Sequence, residues 1–262
     1  MTQPLTILDL FSGIGGFSYA AERLVGGFKT VAFCEPDGAC QRVLNKHWPS
    51  TPIFPDVRTL SAEAVKELCP DGLSLITAGF PCQDLSCAGK QLGYDGERSV
   101  LFYEIIRLAR ELRPNFLLLE NVRNLLSHKD GETFQETLFQ IAKAGYDAEW
   151  SVIPASDLGA CHRRERIWIV CKNASHANDK GSQGQRTQYE LSEGSGQGTT
   201  PWRSGGAMLS PEWRSYLSKP VLCRGDDGLS GRVDRLKQLG NSIVPQVAAV
   251  PLRRIKELAE RQ

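Results

Sequence analysis

The sequence predicts an α/β fold with a mainly parallel sheet covered by helices, and three observations carry that prediction. Short β-rich runs alternate with helical patterns over the first 170 residues. A glycine-dense turn joins the first such run to the first helical pattern. The run Leu73 to Ala78 is apolar and is cut off by Gly79-Phe80-Pro81, the way a buried strand ends. At 262 residues the chain can bury a full core, as one large domain with an insertion.

Taken in order, the predicted strands are Leu5–Phe11, Lys29–Cys34, Ser74–Ala78, Phe116–Glu120, Ala148–Pro154 and Arg166–Cys171. The predicted helices between them are Phe17–Leu24, Gly38–His47, Ala62–Leu68, Leu101–Leu112 and Glu132–Ala144. The clearest is Leu101–Leu112, with Leu101, Ile105, Leu108 and Leu112 at three- and four-residue spacing. Arg113-Pro114 ends it, because proline cannot continue the turn. Composition shifts after Lys172, where Asn173 to Thr200 is mostly Gly, Ser, Gln, Asn and Thr. Such a stretch buries too little surface to offset its ordering entropy, so flexibility is expected there. Trp202, Met208, Leu209, Trp213, Tyr216 and Leu217 then supply apolar anchors for a small subdomain or docking segment. A last helix is expected over Ser242 to Ala259, with Pro245 near its start and Pro251 breaking or kinking it. No internal repeat is evident.

Composition narrows the function classes. Thirty-one Lys+Arg against 30 Asp+Glu leave a net charge of +1, so any nucleic-acid surface must be a local patch. The first residues lack a basic stretch followed by an apolar core, and no run reaches the roughly 18 apolar residues of a membrane span. A cytoplasmic protein with no membrane association is expected. The eight cysteines contain no C-x-x-C pair, which argues against zinc ribbons and thioredoxin chemistry. Free thiols in a reducing compartment, and no metal, are expected. No heptad or interface stripe departs from a monomer.

Five constellations carry candidate chemistry. Asp9-Leu10-Phe11-Ser12-Gly13-Ile14-Gly15-Gly16-Phe17 lies between a strand and a helix, where glycines allow a tight turn and close approach of a ligand. It matches neither G-x-G-x-x-G nor a P-loop, which favours a nucleoside over a diphosphate, or a tight turn alone. Glu35, about twenty residues on, stands where an acid binds ribose hydroxyls, and Asp56-Val57 could meet an adenine ring. Cys82 follows the end of an apolar strand, as a nucleophile or as a small buried hydrophobe. The loop after it, with Gly89, Gly93 and Gly96, could close over a substrate. Glu120 ends another apolar strand, as a helix-capping acid or a functional acid with a raised pKa. In His162-Arg163-Arg164-Glu165-Arg166, alternation puts Arg164 and Arg166 on one face, for function or for an edge-strand salt-bridge network. Gln238-Leu239-Gly240-Asn241-Ser242 reads as polar side chains at a helix start, or an N-cap.

In this order the glycine loop, Gly-Phe-Pro-Cys-Gln, Glu-Asn-Val, Arg-x-Arg and Gly-Asn-Ser resemble the DNA (cytosine-5) methyltransferases, over residues 5 to 171 and 231 to 250. The Pro-Pro-Cys-Gln and Cys-Phe-Thr elements common in the tRNA-directed branch are absent. The resemblance implies a Rossmann-like S-adenosylmethionine-dependent methyltransferase fold. It would comprise a catalytic domain at 1–171, a short target-recognition segment at 172–230 and a returning segment at 231–262. It implies Cys82 as the nucleophile toward cytosine C6, Glu120 at N3 and the exocyclic amine, Arg166 at O2, and Arg164 in support. The cofactor would be held by Phe11, Gly13, Gly15, Gly16, Glu35, Asp56, Val57, Phe80, Asn241 and Ser242. Gln83, Ser86 and Arg98 would meet double-stranded DNA, and a cognate restriction endonuclease would be a functional partner. His162 stands where the family often has Gln. Residues 172–230 hold seven Lys/Arg against six Asp/Glu, hardly a basic face.

Overall fold

The computed structural model describes residues 3–80, 99–174 and 242–261, with the side chains of 99 and 100 left aside. Seven strands form one sheet: β1 Leu5–Leu10, β2 Phe28–Cys34, β3 Ile53–Phe54, β4 Leu75–Gly79, β5 Phe116–Val122, β6 Tyr146–Pro154 and β7 Glu165–Asn173. Their order is β3-β2-β1-β4-β5-β7-β6. All neighbours pair in parallel except β7, which is antiparallel to both β5 and β6. The predicted α/β fold with a mostly parallel sheet and helices on both faces is what the described residues form.

The helices are α1 Gly16–Tyr19, α2 Gly38–His47, α3 Ala62–Leu68, α4 Ser99–Leu112, α5 Glu132–Lys143 and α6 Pro245–Glu260. Strand alternation sends successive side chains to opposite faces. On one face Leu8, Leu10, Ile76, Ala78, Leu117 and Leu119 pack with α3, α4 and α5. On the other, Ile7, Leu75, Leu118 and Trp168 pack with Phe17 of α1 and with Val247, Leu252 and Ile255 of α6.

Four local readings need correction. β3 was not anticipated; two residues make a strand only because Ile53 and Phe54 pair with Phe33 and Cys34. The helix expected over Phe17–Leu24 is one α-turn followed by π-helical turns over Ala20–Val25. The last helix begins at Pro245 rather than Ser242, because proline suits the first helical position. It also runs unbroken through Pro251, whose ring is buried; packing of Val247, Leu252 and Ile255 outweighs the roughly 3 kcal/mol that an interior proline costs.

The chain lays down β1 to β3 outward on one side of β1, then returns to place β4 on the other. Ligands in open α/β sheets bind beyond the carboxyl ends of the strands at such a reversal. The glycine loop, Glu35, Gly79-Phe80 and Glu120 all stand at those ends. Because β7 runs backwards, its beginning reaches the same rim, where Arg166 pairs in register with Val122. No helix among the described residues is long and apolar enough to cross a membrane.

Candidate active site

Glu120 sits near the end of β5's buried run, on the same face as Leu118 and Trp168. Its Oε1 lies 2.9 Å from Nε of Arg166, two residues before Trp168 on β7. Its Oε2 lies against the end of β4, where a Cβ added to Gly79 would come within 3.3 Å. Gly79 is therefore a space requirement, since a larger residue would press on the carboxylate. Burial pushes the Glu120 carboxyl up, against the opposing pull of Arg166 and then Arg164. Such an acid is poised to share a proton with a base that reaches it.

Arg164 departs from the alternation read in the sequence. It precedes β7 with φ +29°, so it is not a strand residue facing with Arg166. Its Nη2 instead donates to the Ser242 carbonyl at 2.8 Å, and burial followed by the nearby Arg166 charge lowers its pKa. Arg164 thus ties the entry to β7 to the segment leading into α6. Arg123 and Arg163 both pair with Glu165 at 2.9 Å on the exposed rim.

The glycine loop is held from below. Ser12 Oγ donates to the Asp9 carbonyl at 2.5 Å and accepts from the Cys34 N–H at 3.2 Å. The Gly13 N–H donates to Glu35 Oε2 at 2.7 Å, and the Asp37 N–H to Oε1 at 2.9 Å. The three glycines are needed for different reasons. A Cβ on Gly13, where φ is +54°, would meet nothing within 4 Å, so this part of the loop faces open space. On Gly15 it would strike the Trp48 ring at 2.7 Å, and on Gly16 Ile243 at 2.8 Å. Those two glycines admit protein side chains, a reason that spacing alone does not reveal. Phe11 adopts φ +54°, which a bulky residue holds only where its surroundings fix it.

The other candidates are dispersed. Asp56 accepts Nε and Nη2 of Arg58, and those bonds hold its carboxyl below the usual range. Val57 is buried, and Phe80 packs against Phe102 with ring centroids 5.2 Å apart on the α4 side. Cys82, Gln83, Ser86, Arg98 and Asn241 lie outside the described residues, as do residues 175–230 of the expected recognition segment and residues 231–241 of the expected returning segment. Among the described residues no group of His, Cys, Asp or Glu is placed to hold a metal, and five cysteines are free thiols.

The model of C-5 cytosine-specific DNA methylases matches residues 5–204. The chain belongs to that family. The type II methyltransferase M.NgoMIV of Neisseria gonorrhoeae is 35% identical over 217 residues, which cover 79% of this chain and 67% of the relative. The type II methyltransferase M.HhaI of Haemophilus parahaemolyticus is 34% identical over 167 residues, covering 64% of this chain and 49% of the relative. The chain spans about half the length of most curated relatives it matches. A putative DNA modification methyltransferase encoded in an E. coli prophage superposes with TM-score 0.56 at 29% identity, over 68% of this chain and 49% of that one. The Dnmt2 methyltransferase of S. pombe gives TM-score 0.55 at 19% identity, over 69% of this chain and 57% of that one, and shares the fold.

Beside this site stands a buried side chain whose partners the sequence alone does not reveal. Asn121 Nδ2 donates to the Phe80 carbonyl at 3.0 Å, while its Oδ1 accepts the Val122 N–H at 2.8 Å. It is buried and thereby ties the Glu120 strand to the peptide just before Pro81-Cys82. The Glu-Asn-Val motif was visible, but the partner lies 41 residues earlier. The same holds for Asp9 on β1, whose partner Thr77 lies 68 residues on.

Proposed function

We propose that this protein is an S-adenosylmethionine-dependent DNA (cytosine-5)-methyltransferase acting on a flipped-out cytosine through a covalent Cys82–C6 intermediate. Beyond family membership, the observation that carries this reading is the buried Glu120 paired with the half-buried Arg166 and set against Gly79, three residues before Cys82 in the chain. Cytosine C5 is a poor nucleophile. Attack of the Cys82 thiolate on C6 forms an S–C6 bond and moves the ring electrons to C5. Glu120, with its carboxyl pushed up by burial, donates a hydrogen bond or proton toward N3, and Arg166 offers a positive charge to O2. C5 then takes up the methyl group that S-adenosylmethionine would supply, its proton passes to solvent water, and the re-formed C5–C6 double bond expels the thiolate as N3 returns any proton it took to Glu120. Flipping the base out of the duplex costs a few kcal/mol.

Open space over Gly13 beside the Glu35 carboxylate suits a nucleoside with ribose hydroxyls. Phe11, Gly13, Glu35, Asp56, Val57, Phe80, Asn241 and Ser242 would hold S-adenosylmethionine, which when bound supplies an electrophilic methyl group. The backbone at Gly15 and Gly16 would shape that pocket from behind. Gln83, Ser86 and Arg98 would meet double-stranded DNA, with residues 172–230 choosing the sequence. A monomeric cytoplasmic enzyme is expected, with a cognate restriction endonuclease as its functional partner.

The test uses duplexes carrying 5-fluorocytosine in many contexts, since fluorine at C5 cannot leave as the proton does. With S-adenosylmethionine, a protein–DNA adduct stable to denaturation should form, and Cys82→Ser should abolish it. Absence of any adduct and of 5-methylcytosine across diverse DNA overturns the reading.

A further inference from the structure

We propose that Asp9 is a positioning residue that sets the spacing between the glycine loop and the end of β4, and so between the two halves of the active site. The inference rests on the methyltransferase reading above, and it concerns a buried carboxylate that the chemistry does not touch.

Asp9 lies on β1, fully buried, on the α1 and α6 face of the sheet. Its two oxygens are divided between different elements. Oδ2 accepts from Ser18 Oγ of α1 at 2.7 Å, and Oδ1 accepts from Thr77 Oγ1 of β4 at 2.8 Å. The Ser18 backbone also donates to the carboxylate. Its main-chain carbonyl accepts Ser12 Oγ, which in turn binds the backbone of Cys34 on β2. One residue therefore joins β2, the glycine loop, α1 and β4.

The two side-chain arms lead to different parts of the site. Through Ser18 the carboxylate fixes the turn of α1, which opens on Gly16 of the glycine loop. Through Thr77 it fixes β4 two residues before Gly79, whose Cα faces Glu120 Oε2, and five residues before Cys82. A purely packing role at this position would be served by an apolar residue, as it is at Ile7 and Leu75 on the same face. Burying a carboxylate instead costs free energy, and burial drives its pKa up to about 7. The retained carboxylate is a fixed-length bridge between donors that hydrocarbon could not hold.

The arms can be cut separately. Thr77→Val removes the β4 arm, and should lower kcat at saturating S-adenosylmethionine by about tenfold, the weight of one hydrogen bond to a charged group. Calorimetric binding of S-adenosylmethionine should stay within about twofold of wild type, and Thr77→Ser should restore kcat. Ser18→Ala removes the α1 arm, and should weaken S-adenosylmethionine binding by about tenfold with kcat at saturation within about twofold. Asp9→Asn, checked for folding by circular dichroism, should show both losses. If wild-type protein methylates DNA but Thr77→Val and Ser18→Ala change binding and kcat in the same proportion, or change neither, the role of Asp9 is overturned and the methyltransferase reading stands. If wild-type protein methylates no DNA, both are overturned.

Discussion

The two faces of this sheet share the same strands and are built on opposite principles. Toward α3, α4 and α5, the strands present Leu8, Leu10, Ile76, Ala78, Leu117 and Leu119, all packed into one apolar cluster. Toward α1 and α6, the alternating positions include Asp9, Thr77 and Glu120, buried among Ile7, Leu75, Leu118 and Trp168. Among the described residues, the two buried side-chain atoms lacking a hydrogen-bond partner are Thr30 Oγ1 and Trp168 Nε1. Thr30 pairs in register with Ile7, and Trp168 with Glu120, so both belong to the polar face. Close packing without polar atoms is what stabilises a domain, whereas buried charges cost stability unless paired. One face is packed almost wholly from apolar side chains; the other gives up some stability to bury the carboxyl groups of Asp9 and Glu120.

The sharpest way to break this contrast is to change adjacent residues on β5. Leu119→Ala opens a cavity on the apolar face and should cost about 2–5 kcal/mol in a denaturant titration, with methyl transfer per folded molecule retained. Glu120→Gln, one residue on, keeps the volume and removes the charge facing Arg166. It should lower kcat by about 10²–10³-fold, as loss of one preorganised electrostatic group does, while changing stability far less. Equal losses of stability in the two variants would erase the distinction between the faces.

A second test concerns pH and follows from Asp9. Its folded-state pKa is raised by burial from 3.8 to about 7, against the pull of Ser18 and Thr77 and with a further push from Glu35. The folded protein therefore holds this proton over a range where the unfolded chain has lost it. The sign is fixed by linkage: stability from this group is full below the unfolded pKa and is lost as pH rises through about 7. The total is on the order of a few kcal/mol. Asp9→Asn should flatten the fall in melting temperature over that window. An unchanged slope would mean that Asp9 is ionised throughout, or that its neighbours yield.

How much of this was legible in the sequence depended on how local its cause is. The buried run Phe116 to Leu119 followed by Glu120 announces a strand that ends in a carboxylate, because the cause lies in consecutive residues, while its burial beside Arg166 is a property of the fold. The glycine loop was equally plain as a strand-to-helix turn. Its individual glycines were not, since Gly15 answers to Trp48 and Gly16 to Ile243, which only the fold brings near. The two-residue strand β3 exists through pairing with Phe33 and Cys34, and no propensity over Ile53-Phe54 could show it. Local rules make Pro251 a break or kink, and the apolar face of α6 overrides them. Arg164 was placed by alternation, but the chain turns at φ +29° just before the strand begins. Asp9 looked like an ordinary residue ahead of a glycine loop because its partner Thr77 lies 68 residues away.

The smallest expected effect comes from the exception on the apolar face. Asn121 follows Glu120 on β5 and so points to the opposite side, where its amide reaches the Phe80 carbonyl at 3.0 Å. Phe80 itself belongs to the apolar cluster and packs on Phe102. The bond therefore fixes the peptide leading to Pro81-Cys82 from the stable side of the sheet, while Glu120 stands on the other. Asn121→Ala leaves that buried carbonyl without its donor and removes the acceptor of the Val122 N–H, at a cost of about 1–3 kcal/mol. If Asn121 served only packing, the adduct yield on 5-fluorocytosine DNA per folded molecule would match wild type. If it aims the nucleophile segment, adduct formation should slow by about tenfold or more while S-adenosylmethionine binding by calorimetry stays unchanged. Asn121→Asp keeps the acceptor for Val122 but sets a buried carboxylate against the Phe80 carbonyl, so it should slow the adduct at least as much as alanine does and cost more stability. A normal rate in Asn121→Asp would confine this residue to the fold and leave the apolar face without any part in the chemistry.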